Sequence, residues 1–240
     1  MKASIFALLL VLAGCGGKTP TISTDTATAR SGTVFLGDSI TNRWDLNAYF
    51  PGKNYLDAGI EGQRTDEMLA RLPEILSGSN VCQGSATSQT CQTVTPPNIV
   101  VIYAGWNNLI QGRDPQQAIS DIQSMVQLCI ARGAHPIVAT IYHFDPSFSA
   151  GSPAFPDGNS LDGPADLIDQ GIRQMNVPIV DLEQVFLTQS GYTQDGVHPI
   201  PAGYAQMRDA YDVVLTAPIQ KSLFRRLTAS ATAAQPQSHD

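Results

Sequence analysis

The sequence has little charge, no basic cluster and no apolar run long enough for an ordinary membrane-spanning helix. Charged residues make up 15% of the 240 positions, and the formal net charge is −7. Proteins that bind nucleic acid usually carry a basic patch, so nucleic acid is not expected as a partner. We find no repeat at the periods of solenoid proteins. The 42% of hydrophobic residues suffices for one globular domain with a sizeable core.

Cysteine is also scarce, with four residues in the chain. Cys82 and Cys91 lie in a polar stretch at 78–97 that is rich in Ser, Thr and Gln. We expect them to pair in an oxidising compartment and to close a small loop. Cys129 falls on a helical pattern and is interpreted as a small buried hydrophobic residue.

The fourth cysteine follows a segment typical of export signals. Lys2 precedes an apolar run at 5–13, which is too short for a normal membrane span. The run ends in the residues LAGC (12–15), which resemble the lipobox of bacterial lipoproteins. This resemblance implies cleavage before Cys15, lipidation of its thiol and attachment to the bacterial cell envelope, with a weak preference for the outer membrane. The alternative is an ordinary secretory signal and a periplasmic or secreted product.

Composition divides the chain into four segments. Residues 1–14 form the predicted signal, and residues 15–32 have the Gly, Thr, Ser and Ala content of a flexible tether. Residues 33–227 form the predicted folded domain, which we expect to be a monomer. The polar tail at 228–240 is typical of disorder.

Within the domain, apolar runs alternate with helical patterns. The predicted strands are Thr33–Gly37, Asn54–Ala58, Asn98–Ala104, Pro136–Ile141 and Val177–Asp181. The predicted helices are Thr65–Leu76, Pro115–Arg132, Pro164–Met175 and Ala202–Thr216. This alternation predicts an α/β fold with a parallel sheet and helices on both of its faces. In such sheets ligands bind beyond the carboxyl ends of the strands.

Polar blocks with groups suited to catalysis lie at strand ends and late in the chain. Ser39, in the block GDSI, directly follows the first predicted strand. A serine nucleophile requires a base, an orienting carboxylate and oxyanion donors. Asp195 and His198, in DGVHP, are three positions apart, which brings both side chains to one side of a compact loop. An Asx-turn with a surface histidine is the plainer interpretation of this block alone.

Two further blocks offer oxyanion donors. Gly62 lies in AGIEGQRT, where glycines permit close approach to the backbone at the start of a helix. Asn107 lies in AGWNN after the third predicted strand, and its side-chain amide carries two donors. Each block alone could be an ordinary turn or polar loop.

Together and in this order, the four blocks resemble those of the SGNH hydrolases, the GDSL-type esterases and lipases. The resemblance extends from residue 33 to about residue 207. It implies a flavodoxin-like, three-layer α/β/α fold with a five-stranded parallel sheet, and a reaction without cofactor or metal. It also implies a catalytic triad of Ser39, His198 and Asp195. The oxyanion would be received by the amides of Ser39 and Gly62 and by the Asn107 side chain.

The sequence departs from the family pattern in two places. The polar stretch at 78–97 resembles an insertion, and the third block differs from the usual GTND or GGND. Asn108 replaces an acidic residue, and Trp106 is bulkier than usual and is expected to narrow the substrate pocket. The candidates for the substrate cleft are Asp38, Arg43, Trp106, Asn108 and His143. His143 begins a long loop at 143–164 that is predicted to form one wall of the cleft. A metal held there by His143 and Asp145 is the less favoured interpretation.

The expected reaction is hydrolysis of a carboxylic ester, with a short acyl or acetyl group, through an acyl-serine. The substrate would be a small molecule or a glycan ester. An acyltransferase would use the same residues, and a non-catalytic binding protein on this scaffold is a further alternative. The GxSxG motif of the α/β-hydrolases does not occur.

Overall fold

The structure is a computed structural model that describes residues 29–145, 147–148 and 161–217. The predicted signal, the lipidation site Cys15, the predicted tail at 228–240 and most of the loop at 143–164 lie outside the described residues. Among the helices of the described part, none is both long and apolar enough to cross a membrane.

The chain alternates between strands and helices. The strands are β1 Thr33–Gly37, β2 Leu56–Gly59, β3 Val81–Gly84, β4 Gln89–Gln92, β5 Ile99–Ile102, β6 His135–Ala139 and β7 Ile179–Val180. The helices are α1 Ser39–Asn42, α2 Leu46–Tyr49, α3 Thr65–Ser77, α4 Trp106–Ile110, α5 Pro115–Ala131, α6 Asp162–Arg173, α7 Leu182–Phe186 and α8 Pro201–Thr216.

Five parallel strands form the central sheet in the order β2-β1-β5-β6-β7. Counted along the chain without β3 and β4, this is the 2-1-3-4-5 order of flavodoxin-like folds. Helix α5 packs against α3 and α6, whereas α8 packs against α2 and α7. The predicted α/β/α fold with a five-stranded parallel sheet is therefore confirmed.

The core follows from the residue pattern of the elements. All five residues of β1 are buried, as expected for a strand covered on both faces. Helix α5 buries the residues that recur at helical spacing along one side, which are Ala118, Ile122, Met125, Val126 and Cys129. Cys129 is a free and fully buried thiol, which confirms its interpretation as a small hydrophobic residue.

An aromatic cluster packs near the carboxyl end of β1. Trp44 stacks on Tyr204 with ring centroids 5.7 Å apart, and it also contacts Phe50 and Tyr211. The Tyr204 hydroxyl donates to the carbonyl oxygen of Ile40 at 3.0 Å. The cluster thereby fixes the short helix α1 against α8.

The polar stretch between α3 and β5 forms a second, two-stranded sheet. Strands β3 and β4 are antiparallel, and Cys82 and Cys91 lie directly opposite each other and form a disulfide. The hairpin is attached to the loop after β2, because the N–H of Glu61 donates to the carbonyl oxygen of Gly84 at 2.9 Å. All four residues of β4 are exposed, so no alternation of apolar and polar residues marked it as a strand.

Candidate active site

The nucleophile candidate lies where β1 meets α1. Ser39 is the first residue of α1, and the preceding Asp38 caps this helix by accepting the N–H of Ile40 at 2.9 Å. The polar residues after β1 thus have two uses, since one caps the turn and the next presents a hydroxyl group. The Ser39 Oγ lies 2.8 Å from Nε2 of His198.

Asp195 and His198 meet within one loop. Asp195 Oδ2 lies 2.7 Å from His198 Nδ1, and Oδ1 accepts the N–H groups of Val197 and His198 at 3.1 and 2.8 Å. Burial alone would raise the pKa of Asp195, but the hydrogen bonds from His198 and Val197 outweigh it and hold the pKa below its usual value. An ionised carboxylate can only accept, so Nδ1 carries the proton and Nε2 faces Ser39.

A buried carboxylate holds the loop that carries Asp195 and His198. Asp145 accepts the N–H of Gly191 at 2.9 Å, and it accepts the N–H and hydroxyl of Thr193 at 3.0 and 2.9 Å. Burial would raise the pKa of Asp145, but these hydrogen bonds and those from Ser147 lower it to about 2. Asp145 is therefore a fixed negative charge that anchors the candidate catalytic loop at 191–199.

Two aromatic residues pack closely against the same loop. Gly196 has a φ of 95°, and a Cβ there would lie 2.1 Å from Cζ of Phe144. The Tyr142 hydroxyl donates to the carbonyl oxygen of Val197. Only glycine fits position 196, for reasons of both backbone conformation and space.

Gly62, the candidate oxyanion donor of the second block, lies beside the cleft that contains Ser39. Its φ of 78° is in the left-handed region that favours glycine, and a Cβ there would meet nothing within 4 Å. Gly62 lines the same cleft as Ser39 and His198. The predicted second block and the nucleophile are thus brought together.

Asn107 also lines this cleft, but its amide already has partners inside the protein. Its Nδ2 lies 3.1 Å from Asp38 Oδ2 and 3.1 Å from the carbonyl oxygen of Gln63. Asp38 is almost fully buried, and burial raises its pKa to about 7 despite hydrogen bonds from Ile40 and Asn107. Asp38 therefore lies beneath the cleft as a support for Asn107 and does not line it.

Two more candidates for the cleft are placed elsewhere. Asn108 is buried and bonds Thr65 twice, accepting its N–H at 3.0 Å and donating to its Oγ1 at 2.9 Å. Thr65 in turn donates to Asp121 at 2.6 Å. Trp106 is 1% exposed and belongs to the hydrophobic core. The expectation that Trp106 narrows the substrate pocket is therefore not met, because its ring packs inward from the start of α4.

His143 is likewise not in the cleft. Its Nε2 lies 2.6 Å from Asp166 and 3.6 Å from Glu183, and Glu183 also contacts Arg173. The donor atoms of His143, Asp166 and Glu183 lie within 4.8 Å of one another, a grouping that could hold a cation. Asp145, the partner considered from the sequence, instead anchors the catalytic loop.

The remaining cleft candidate, Arg43, is where the sequence predicts it. Its Nε lies 2.9 Å from Glu61 Oε1, and both side chains line the cleft beside Ser39. This ion pair holds the pKa of Glu61 below its usual value. The cleft has a volume of about 420 Å³, and its lining includes the hairpin turn at 85–87.

Sequence reasoning missed the supports of the site. Asp145 gave no motif signal, since its partners lie 46 and 48 positions away in the chain. Arg71 donates to the carbonyl oxygens of Gly37 and Ala58 at 3.2 and 2.6 Å, and to Gln63 at 2.7 Å. It thereby ties together the ends of β1 and β2. The polar composition of the hairpin turn gives no sign that it lies at the cleft.

Solved structures with this fold include several ester hydrolases. A GDSL-like lipase from Bacteroides thetaiotaomicron is 21% identical with a TM-score of 0.58, over 80% of this chain and 89% of that one. A member of the lipolytic G-D-S-L family from Veillonella parvula is 18% identical with a TM-score of 0.55, over 78% and 98%. An acetylxylan esterase from Geobacillus stearothermophilus, solved as a catalytic mutant, is 18% identical with a TM-score of 0.52, over 79% and 96%.

At these identities the likeness concerns the fold. The search of curated proteins returned no match. A family model described as the GDSL-like lipase/acylhydrolase family matches residues 35–206, which span β1 to α8 and include every block described above. The chain therefore belongs to the GDSL-like lipase/acylhydrolase family and is an ester hydrolase of the SGNH type.

Proposed function

We propose that the protein hydrolyses esters of short acyl groups through an acyl-serine intermediate. The observation that carries this proposal is the continuous line of hydrogen bonds from Ser39 Oγ to His198 Nε2 at 2.8 Å, and from His198 Nδ1 to Asp195 Oδ2 at 2.7 Å. It is the arrangement that a serine nucleophile, its base and an orienting carboxylate require.

In the first half-reaction, Ser39 Oγ attacks the ester carbonyl carbon while His198 Nε2 accepts the hydroxyl proton. The Asp195 carboxylate stabilises the imidazolium that results. The tetrahedral intermediate collapses as His198 returns the proton to the leaving alcohol, and the acyl group remains on Ser39. Water then attacks the acyl-serine with the same proton path, which releases the carboxylic acid and restores the enzyme.

The oxyanion is received by the backbone N–H groups of Ser39 and Gly62 and by the Asn107 amide. Asn107 is bonded to Asp38 and Gln63 before substrate binds. One of its two hydrogens must therefore turn from a protein acceptor to the oxyanion. Because charge develops on the carbonyl oxygen only as the reaction proceeds, this exchange favours the transition state over the bound ester.

The cleft itself supports a small acyl group. Its lining beside Ser39 consists of polar or small residues, and no large apolar side chain contributes to it among the described residues. A long acyl chain would leave its methylene groups against polar atoms or in water, and each buried methylene normally contributes about 0.8 kcal/mol. We therefore expect acetyl and other short acyl esters to be preferred.

A series of p-nitrophenyl esters with increasing acyl length tests this proposal. The expected result is a maximum of kcat/KM at roughly two to four carbons, because the cleft offers no large apolar side chain to a longer acyl chain. Ser39→Ala should abolish turnover, and a fluorophosphonate should label the wild-type protein at Ser39. A maximum at long chains, or labelling elsewhere, would contradict it. An acyltransferase would instead pass the acyl group to an added alcohol such as glycerol, which product analysis detects.

We also infer that the protein works outside the cytoplasm. The apolar run ending at Cys15 supports export, and the disulfide between Cys82 and Cys91 is of a kind that persists in oxidising compartments. Mass spectrometry of the mature N-terminus, together with cell fractionation, tests whether Cys15 carries lipid. A product cleaved beyond residue 15 would contradict the tether and leave the esterase proposal unaffected.

A further inference from the structure

The turn of the β3–β4 hairpin reaches the catalytic cleft. Ser85, Ala86 and Thr87 form this turn, and they line the same cavity as Ser39 and His198. All three lie inside the loop that the disulfide closes. The insertion is therefore part of the active-site wall, although none of the four catalytic blocks lies within it.

The position of the turn is fixed at its base. The Gly84 carbonyl oxygen accepts the N–H of Glu61 at 2.9 Å, and Gly84 is also bridged to Ile60. Ser85 and Ser88 exchange hydrogen bonds across the turn, with Ser88 N–H donating to Ser85 Oγ at 3.0 Å. Because Glu61 directly precedes Gly62, the hairpin is attached next to the proposed oxyanion donor.

The disulfide supplies the remaining constraint. Cys82 lies two residues before Gly84, and the two cysteines are nine positions apart in the chain. The exposed strand β4 has little hydrophobic burial to hold it, and an isolated two-stranded hairpin is only marginally stable. The covalent bond between β3 and β4 therefore adds to the contacts of Gly84 in restricting the movement of the turn relative to Ser39.

The chemistry of this wall suits an alcohol that carries free hydroxyl groups. Arg43 and Glu61 form an ion pair at 2.9 Å with side chains 39% and 34% exposed, so both can make charge-assisted hydrogen bonds to a ligand. Thr87, which also lines the cavity, carries a hydroxyl group that can both donate and accept. The wall offers the alcohol part of an ester several polar contacts, and none of its residues has a large apolar side chain.

We propose that the hairpin turn at 85–87, together with Arg43 and Glu61, forms a subsite for a polyhydroxylated alcohol, and that the Cys82–Cys91 disulfide holds this subsite in place. The proposal rests on the proposed esterase function and adds the class of its leaving group. The preferred substrates are short acyl esters of polyols or sugars, and an ester of a simple alkyl alcohol lacks the groups that this wall would bind.

Two acetate esters distinguish recognition of the alcohol at the subsite from hydrolysis of the ester itself. Glycerol monoacetate and ethyl acetate share the acyl group, but only the former has free hydroxyls near the ester. Acetate release gives kcat/KM for each, and their ratio measures recognition of the alcohol. Wild-type enzyme should favour glycerol monoacetate. Thr87→Val, which keeps the shape and removes the hydroxyl, should lower the ratio about 2–10-fold, as expected for one uncharged hydrogen bond.

The matched control is Thr90→Val. Thr90 lies on β4 in the same hairpin, is exposed and does not line the cleft, so the ratio should stay at the wild-type value. The double variant Cys82→Ser/Cys91→Ser should lower the ratio at least as much as Thr87→Val. Treating the wild type with reductant should have the same effect, and reoxidation should restore the ratio. Circular dichroism establishes that each variant is folded.

The outcomes are distinct. A ratio unchanged by Thr87→Val and by loss of the disulfide would overturn the subsite while esterase activity on both acetates persists. A ratio lowered by Thr87→Val but not by reduction would overturn the role of the disulfide. Absence of hydrolysis with either acetate and with p-nitrophenyl acetate would overturn the proposed function, and the subsite with it. A wild-type preference for ethyl acetate would overturn the assignment of the alcohol.

Discussion

Asn107 Nδ2 lies 3.1 Å from Asp38 Oδ2, so the buried carboxyl that caps the nucleophile turn also holds the amide proposed to receive the oxyanion. The contact joins the ends of β1 and β5, which are neighbours in the sheet. The chain segments that follow β1 and β5 run to opposite sides from this point, as they do at the topological switch point of other doubly wound sheets. The arrangement explains why a buried Asp lies directly before Ser39, the proposed nucleophile.

The first prediction concerns the proposed proton relay between Ser39 and His198. Ser39→Ala and His198→Ala should each abolish nearly all esterase activity, and the double variant should lose little more than either single variant. The two residues act as one unit, because the histidine has no proton to accept once the hydroxyl is removed. Kinetics of all three variants on p-nitrophenyl acetate provide the measurement. Losses that multiply in the double variant would contradict a shared relay.

The second prediction compares two neighbouring asparagines. Asn107→Ala should reduce kcat by about 10²–10³, as loss of one oxyanion donor typically does, with a smaller effect on KM. The matched variant Asn108→Ala should instead lower the free energy of unfolding by about 1–3 kcal/mol, because it leaves the buried N–H of Thr65 without an acceptor. Denaturant unfolding and steady-state kinetics on both variants separate the two roles. A larger loss of kcat in Asn108→Ala would reverse the assignment.

The sequence was sufficient to predict the sheet and to place the four candidate blocks, because both depend on residues that are close together in the chain. Strand β1 is a continuous apolar run that ends at Gly37, and its predicted bounds are those observed. Helices α3, α5, α6 and α8 lie within two residues of their predicted starts, because apolar spacing or a proline near the start marked each one. Helices α1, α2, α4 and α7 have four or five residues each, too few for a period to be recognised.

What the sequence did not reveal depends on contacts between distant positions. Asp145 contacts Thr193, 48 positions later, and no spacing rule connects them. Trp106 follows a strand end beside Asn107, but adjacent residues on a helix face different directions, so one side chain enters the core while the other lines the cleft. The hairpin turn reaches the cleft only because Gly84 pairs with the loop after β2.

The third prediction tests the anchor of the catalytic loop. Both oxygens of Asp145 accept hydrogen bonds from N–H or hydroxyl groups, so the amide of Asp145→Asn must turn its NH₂ toward a donor. The variant should lose on the order of 1–3 kcal/mol of stability at neutral pH and much of its activity, with faster hydrogen exchange at 191–199. Ser147→Ala, which removes only one donor hydroxyl, serves as a milder control.

The pH dependence of this effect has a definite sign. The pKa of Asp145 is lowered to about 2 in the folded protein, so its stabilising contribution is present above the unfolded value near 4 and is lost as the pH falls toward 2. The stability difference between wild type and Asp145→Asn should therefore shrink over this interval. A constant difference between pH 5 and pH 2 would contradict the role of the charge.

The last prediction concerns a buried carboxyl group on α6. Its contribution to stability should depend on pH with the opposite sign to that of Asp145. Asp169 Oδ1 accepts the N–H of Ile141 at 2.8 Å, whereas Oδ2 is buried without a hydrogen-bond partner among the described residues. Burial, followed by the nearby Glu183 charge, raises the pKa of Asp169 to about 8 against the effect of the Ile141 hydrogen bond. The folded protein therefore binds a proton at this site that the unfolded chain releases near pH 4.

For an acid with a raised pKa, stability is highest below the unfolded value and declines as the pH rises toward the folded value. Asp169→Asn keeps the acceptor for Ile141 and removes the charge, so it should be more stable than wild type at pH 9. The gain should be on the order of a few kcal/mol, and it should fade as the pH falls from 8 to 4. The raised pKa values of Asp38 and Asp57, both about 7, affect both proteins equally and cancel in the stability difference.

The control Asp209→Asn, exposed on α8, should change stability little at any of these pH values. Urea unfolding at four pH values from 4 to 9 measures the difference, and a gain that is independent of pH would show that Asp169 is not protonated in the folded protein at neutral pH.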